Sequence, residues 1–124
     1  MKLCLTSSTT LKKFLKALPF MTLKEKQQQV EMWISQFEES YWKPHEMYTA
    51  MVEEVGEVGR EINHRFGPKK KKPEELEGDL AGELADVIFA TICIANQQGI
   101  DLDAAWEKMM IKFQTRDGGR YKRK

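Results

Sequence analysis

Apolar residues recur at helical spacing in four segments of the chain, and no segment shows convincing strand alternation. The predicted helices span Leu23–Tyr41, Pro44–His64, Pro73–Gln98 and Asp101–Thr115. Pro44 and Pro73 suit first helical positions, Asp101 is a preferred N-cap, and Gly99 suits a helix end. The pattern therefore predicts an all-α, four-helix bundle.

The third predicted helix is apolar around almost its whole circumference between Leu84 and Ala95. A helix of this kind has to be covered, and four short helices rarely enclose one of their number fully. We therefore expect a homodimer or homotetramer. The short turn from Asn96 to Asp101 predicts that the third and fourth helices pack antiparallel.

The first twenty residues fall outside this helical pattern, so we expect residues 1–20 to be an extension and residues 21–124 to be the domain. No small-residue cleavage site follows them, which argues against a secretory signal. The longest apolar run, Val87–Ala95, is far shorter than the ~20 residues that span a bilayer.

Composition narrows the class of protein. The chain has 124 residues, 41% of them hydrophobic and 31% charged, as in a single soluble domain. Its net charge of +1 gives no field that favours nucleic acid or a membrane surface. Two cysteines, Cys4 and Cys93, do not make a disulfide framework or a zinc site, so we expect a reducing cytoplasm.

Two acidic pairs carry the candidate chemistry. Glu54 and Glu57 share one face of the second helix, and Glu83 and Asp86 share one face of the third, because residues three apart are helical neighbours. If these helices are antiparallel neighbours, the four carboxylates converge. Their repulsion would then call for a divalent cation, and oxygen ligands suit magnesium or manganese.

Other interpretations of the same residues stay open. A lone pair of glutamates three apart is usually a solvated surface, although apolar residues flank both pairs here. A di-iron bundle would need Glu-x-x-His motifs, which His45 and His64 do not complete. Gly56 and Gly59, inside the second helix, fit close packing of another helix or of a ligand.

Together the motifs resemble those of the MazG-type all-α nucleoside triphosphate pyrophosphohydrolases. The resemblance rests on Glu53-Glu54-Val55-Gly56-Glu57, then Glu83-Leu84-Ala85-Asp86-Val87, then the basic segment Lys108–Arg116, and it extends over roughly residues 23–121. Within the family, the chain resembles the small single-domain bacterial members most. The first twenty residues depart from the family pattern.

The resemblance implies that Glu54, Glu57, Glu83 and Asp86 hold magnesium while water attacks the α-phosphorus of a nucleoside triphosphate and pyrophosphate leaves. Spacing by four places Lys108, Lys112 and Arg116 in one basic stripe, which fits binding of the outer phosphates or a solvated face.

Smaller features have two interpretations each. Trp33, Trp42 and Tyr48 are candidates to stack on a base, with core packing favoured for Trp33. The run Lys69–Lys72 is interpreted as a solvated loop rather than a phosphate contact.

Two alternative functions are kept. One is pyrophosphate removal from another nucleotide, as in phosphoribosyl-ATP hydrolysis. The other is a non-catalytic helical module for dimerisation or nucleotide sensing. Four acids favour catalysis, because a binding module would not need that density of charge.

Overall fold

The computed structural model describes residues 21–75 and 78–124. These residues form no strand and four helices: α1 (Leu23–Ile34), α2 (Pro44–Phe66), α3 (Leu80–Gln97) and α4 (Leu102–Asp117). The predicted all-α class is confirmed. The extension expected at residues 1–20 lies outside the described residues.

Local signals set several of the helix ends. Thr22 caps α1 in a capping box, in which the Glu25 amide donates to the Thr22 hydroxyl and the Glu25 carboxylate accepts from the Thr22 amide. The Asp101 carboxylate accepts from the Ala104 amide and caps α4, as predicted. Gly99, at φ 64°, takes the left-handed conformation just past α3.

The first helix is shorter than predicted, because it ends at Ile34 instead of Tyr41. The Tyr41 hydroxyl donates to the Glu31 carboxylate at 2.5 Å and accepts from the Asn96 amide of α3 at 3.0 Å. In a continuous helix Glu31 and Tyr41 would lie about 15 Å apart along the axis, so the chain has to turn back between them. Burial, followed by the bond to Glu31, raises the pKa of Tyr41 to about 12.

The third helix begins at Leu80, seven residues after the predicted start at Pro73. Residues 72–75 instead close a tight turn, in which the Glu75 amide donates to the Lys72 carbonyl and the Lys72 amide donates to the Glu75 carboxylate, both at 3.0 Å. The acids after Pro73 therefore serve a turn and not the first turn of a helix. At the other boundaries α2 and α4 each run two residues beyond the prediction, to Phe66 and Asp117.

Helices α2 and α3 pack antiparallel and form the main contact of the fold. The predicted antiparallel packing of the last two helices is wrong for the described residues, because α4 packs against α1. Asp103, at the start of α4, accepts from the backbone amides of Leu23 and Lys24 at 3.0 and 3.2 Å. A carboxylate favours the positive end of a helix, so Asp103 holds α4 to the start of α1.

The core is small. It consists of Val30, Met47, Ile92 and Cys93, where α1, the start of α2 and the second half of α3 meet. Trp33 was expected in this core, but 55% of it is exposed and its ring packs edge-on against Phe37. Phe37 lies beyond the end of α1 at Ile34, and Trp33 packs against it outside the core.

Much of α3 stays uncovered within one chain. Leu84, Ile88 and Phe89 are 47%, 55% and 40% exposed. No described residue comes within 4 Å of a side-chain position built at Gly56 or Gly59, so the described part of the chain does not show the close packing suggested for these glycines. The chain thus presents apolar helix surface that its own described residues do not cover.

By length and composition α3 also resembles a membrane span, with 18 residues and a mean hydropathy of 1.3. This is weak evidence, because the packing helix of a soluble protein has the same composition. In this structure the helix packs along α2, and its first two turns carry Glu83 and Asp86.

Gln27 joins α1 to the turn between α3 and α4. Its side-chain amide donates to the Asn96 side chain at 2.9 Å and to the Ile100 carbonyl at 2.8 Å, and its oxygen accepts from the Leu102 amide at 3.0 Å. The side chain is buried, so these bonds satisfy polar groups that water does not reach.

We expect Gln27→Ala to lower the free energy of unfolding by about 2–3 kcal/mol, because it leaves the Leu102 amide and the Ile100 carbonyl without this partner. Gln28→Ala is the matched control, since Gln28 is exposed and its loss should change stability by less than about 0.5 kcal/mol. Urea denaturation of both variants measures the difference. Equal midpoints would show that Gln27 is not a structural link.

Candidate active site

Three of the four predicted acids meet between α2 and α3. One carboxylate oxygen each from Glu54, Glu83 and Asp86 lies within 4.8 Å of the other two. The antiparallel packing brings them together, since the Thr91 hydroxyl of α3 also contacts the Met51 sulfur of α2 one turn away, at 3.7 Å. Glu54 and Glu83 are half-buried and Asp86 is exposed, so the cluster opens to solvent on one side.

Glu57 lies beside this cluster. It is close enough to raise the pKa of Glu83, and it forms a close ion pair with Arg60 on the next turn of α2. Its Oε2 atom is shielded from solvent and makes no well-aligned hydrogen bond with the described residues. This is the oxygen that the Arg60 guanidinium contacts, so Glu57 can serve as a ligand at the edge of the cluster by exchanging that ion pair for a cation.

The electrostatics of the cluster show an excess of negative charge. The pKa of Glu83 is raised first by burial and then by the carboxylates of Glu57, Asp86 and Glu54, and Arg60 opposes this only in part. A cation among these oxygens would relieve the repulsion. The donor set consists of carboxylates without sulfur or imidazole, which fits magnesium or manganese.

A cavity of about 420 Å³ begins at the acid cluster and runs toward the end of α1. Glu54 and Asp86 line one end of it. Aromatic side chains line much of the remainder, namely Phe37, Tyr41, Trp42 and Phe89. Cys93, a buried free thiol whose pKa is raised by burial, also lines the wall. A polar end joined to an aromatic chamber suits a ligand with a charged group and a flat ring.

The other predicted site residues lie elsewhere. Lys108, Lys112 and Arg116 are exposed on α4, and none of them lines the cavity. Arg116 forms an ion pair with Asp117 at 2.7 Å and lies over the Phe113 ring, 5.9 Å from its centroid. Within one chain, the basic stripe therefore does not contribute to the lining of the acid cavity.

Of the aromatic candidates, Trp42 lines the cavity, whereas Trp33 and Tyr48 do not. Sequence reasoning missed Phe37, Tyr41 and Phe89 as cavity residues, since only the turn after α1 and the packing of α3 bring them together. It also missed Arg60 and Glu61. Spacing was a usable signal for both, because they lie three and four residues after Glu57 on the same helix.

Comparison with known proteins agrees with this geometry. Residues 43–120 match the MazG nucleotide pyrophosphohydrolase domain, a range that includes all four acids. The chain is 43% identical over 103 residues to protein YpjD of Bacillus subtilis (strain 168). The aligned residues make up 83% of this chain and 93% of that protein.

Two solved structures are similar to this fold. One is the Bacillus-conserved MazG protein, a nucleotide pyrophosphohydrolase, with a TM-score of 0.67, 41% identity, and coverage of 79% of this chain and 95% of that one. The other is YPJD from Bacillus subtilis, with a TM-score of 0.69, 40% identity, and coverage of 76% and 96%.

We expect Glu83→Gln to stabilise the protein at neutral pH in the presence of a chelator. A raised pKa means that ionisation of Glu83 destabilises the folded state as pH rises. The gain in stability of the variant over the wild type should therefore grow as the pH rises above the pKa of glutamate in the unfolded chain, about 4.3. Below that pH the gain should vanish. The effect is measured as the midpoint of urea denaturation of both proteins between about pH 3.5 and pH 8, a range that includes this pKa.

Glu53→Gln is the control, because Glu53 is exposed on α2 and is not one of the three clustered acids. It should show a much smaller dependence on pH. If Glu83→Gln were less stable than the wild type at pH 8 with chelator, roughly four units above the unfolded pKa, repulsion among the acids would not be a feature of the site.

Proposed function

The chain belongs to the MazG family of nucleotide pyrophosphohydrolases, and from that we propose that it hydrolyses nucleoside triphosphates to the monophosphate and pyrophosphate, using magnesium. Glu54, Glu83 and Asp86 provide the converging ligands, and Glu57 completes the set from its edge. Manganese, with similar ligand preferences, can take the same place.

The observation that carries this proposal is the continuity of the acid cluster with the aromatic cavity. Glu54 and Asp86 belong to both, so a triphosphate at the acids leaves its nucleoside in the chamber lined by Phe37, Trp42 and Phe89. The volume of about 420 Å³ falls within the usual range for small-ligand sites. Aromatic faces hold a base by stacking, which restrains the sugar and the α-phosphate.

The side chains have distinct tasks in this reaction. When bound, magnesium neutralises phosphate charge and orients the α-phosphorus toward the attacking water. Glu57 accepts the proton of that water, after which an oxygen–phosphorus bond forms and the bond to the bridging oxygen of the leaving pyrophosphate breaks. To accept this proton, the Glu57 carboxylate gives up its ion pair with Arg60. Arg60 can move away because its side chain is exposed to solvent.

We expect magnesium-dependent release of pyrophosphate from at least one nucleoside triphosphate. Glu54→Gln should lower kcat/KM at least about a hundredfold, because loss of a ligand removes several kcal/mol of charge stabilisation. Glu53→Gln is again the exposed control on the same helix. Pyrophosphate is measured over a panel of nucleotides with and without magnesium.

The panel also separates the alternatives. Activity confined to phosphoribosyl-ATP would replace the general triphosphate proposal with the narrower one. Magnesium and nucleotide binding without pyrophosphate release from any member of the panel would leave a nucleotide-sensing module. Membership of the family favours catalysis over this last outcome.

A homodimer or homotetramer completes the proposal. The apolar faces of α3 and α4 are exposed in one chain, including Ile88, Trp106 and Ile111. None of the basic-stripe residues lines the acid cavity of its own chain, and the stripe is opposite to that cavity in charge. We therefore assign Lys108, Lys112 and Arg116 to the outer phosphates held at the site of a neighbouring subunit, in a cytoplasmic enzyme.

We expect Lys112→Ala or Arg116→Ala to lower kcat/KM by at least about tenfold while magnesium affinity stays nearly unchanged. Coexpression of Glu57→Gln with Arg116→Ala should then restore about a quarter of wild-type activity, since mixed dimers contain one site with neither change. Wild-type kinetics in both single variants would make the stripe a solvated face. If the single variants lose activity and the coexpressed variants do not regain it, the stripe would act at the site of its own chain.

A further inference from the structure

Glu61 is a buried acid that the reaction above does not use. It is only 3% exposed, and it follows Glu57 by four residues on the same face of α2. Removing an ionised side chain from water is costly unless a partner compensates. That partner is Lys71, whose Nζ lies 3.3 Å from the Glu61 Oε1.

This contact corrects the interpretation of the basic run Lys69–Lys72 as a solvated loop. Lys69, Lys70 and Lys72 are exposed, but Lys71 is partly buried as it reaches the Glu61 carboxylate. One lysine of the four therefore anchors the loop to α2, and its neighbours remain in solvent.

The far end of the same loop is held by the same part of α2. Gly78 lies against the Glu61 carboxylate so closely that a Cβ at this position would collide with it. The Gly78 carbonyl also accepts from the Arg65 guanidinium, one turn along α2, at 3.4 Å. Glu61 thus contacts both Lys71 near the start of the connection and Gly78 just before α3.

The start of α3 depends on this contact because its local cap is weak. The Asp79 side chain makes no capping hydrogen bond, in contrast to Thr22 and Asp101 at the starts of α1 and α4. Glu83 lies in the first turn of α3, and its amide donates to the Asp79 carbonyl at 3.0 Å. The contacts that hold Gly78 therefore help to set the position of that turn, together with the packing of α3 against α2.

We propose that Glu61, through its ion pair with Lys71 and its contact with Gly78, is a positioning residue that sets Glu83 in register with Glu54 and Asp86 for metal binding. The inference rests on the proposed function, because it assigns Glu83 to the metal. Buried ion pairs often add little net stability, and in some proteins they favour one geometry over others. Residues that orient ligands commonly change metal affinity ten- to a hundredfold when they are lost.

The test compares Lys71→Met with Lys70→Met in the full-length protein. Both remove one lysine from the same run, but only Lys71 is paired with Glu61. Lys71→Arg restores the charge, and Glu61→Gln with Lys71→Met removes the buried pair entirely. Gly78→Ala perturbs the same contact without changing any charge.

Three measurements are made on variants whose circular dichroism shows a folded protein. Calorimetry reports magnesium affinity, hydrogen exchange reports opening of residues 83–86, and pyrophosphate release reports turnover. We expect Lys71→Met to weaken magnesium binding about tenfold and to speed exchange at residues 83–86. Lys70→Met should match the wild type, and Lys71→Arg should recover most of the affinity.

Gly78→Ala should reproduce the loss of magnesium affinity, while the double variant should bind magnesium more weakly than the wild type yet be more stable than Lys71→Met alone. Equal magnesium affinity and equal exchange in Lys71→Met, Gly78→Ala and the wild type would overturn the proposal. So would equal effects of Lys70→Met and Lys71→Met.

Failure of the proposed function gives a different result. A wild-type protein that binds magnesium but releases no pyrophosphate would overturn the reaction, while exchange and affinity would still show whether Glu61 positions Glu83. A wild-type protein that binds no magnesium would overturn the metal assignment and this inference together, even if Lys71→Met changed exchange.

Discussion

Repulsion among carboxylates that two antiparallel helices hold together is the constraint on which this structure depends. The oxygens of Glu54, Glu83 and Asp86 lie within 4.8 Å of one another, and the pKa of Glu83 is raised by burial and by its acidic neighbours. Such a cluster opposes the helix packing that creates it. The apolar contacts between α2 and α3 supply the opposing force, and a divalent cation would turn the repulsion into binding.

The connections between helices carry the polar links that keep this packing in register. At one end, Gln27, Asn96 and Tyr41 join α1 to the end of α3, and Tyr41 also lines the aromatic cavity. At the other end, Glu61 and Arg65 hold the loop that leads into α3. The acid cluster lies between these two links, which hold one end of α3 to α1 and the other end to α2.

The same arrangement leaves a protomer with a small core and much exposed apolar surface. Among the described residues, four buried side chains form the central cluster, whereas Ile88 on α3 and Trp106 on α4 are more than half exposed. In a protein of this size burial on this scale leaves little margin of stability, which is the physical reason to expect further subunits. A site shared between subunits would couple assembly to activity.

Periodicity and capping residues in the sequence determined the four helices, the acid pairs at spacing three and the family resemblance, because these signals act within one or two helical turns. The sequence pattern predicted helix ends and helix packing wrongly where contacts with residues distant in the chain decide them. The Tyr41 hydroxyl ends α1 early through contacts with Glu31 and Asn96, and Asp103 directs α4 to α1. The aromatic cavity and the Glu61–Lys71 pair likewise join segments far apart in the chain, so only the tertiary structure decided them.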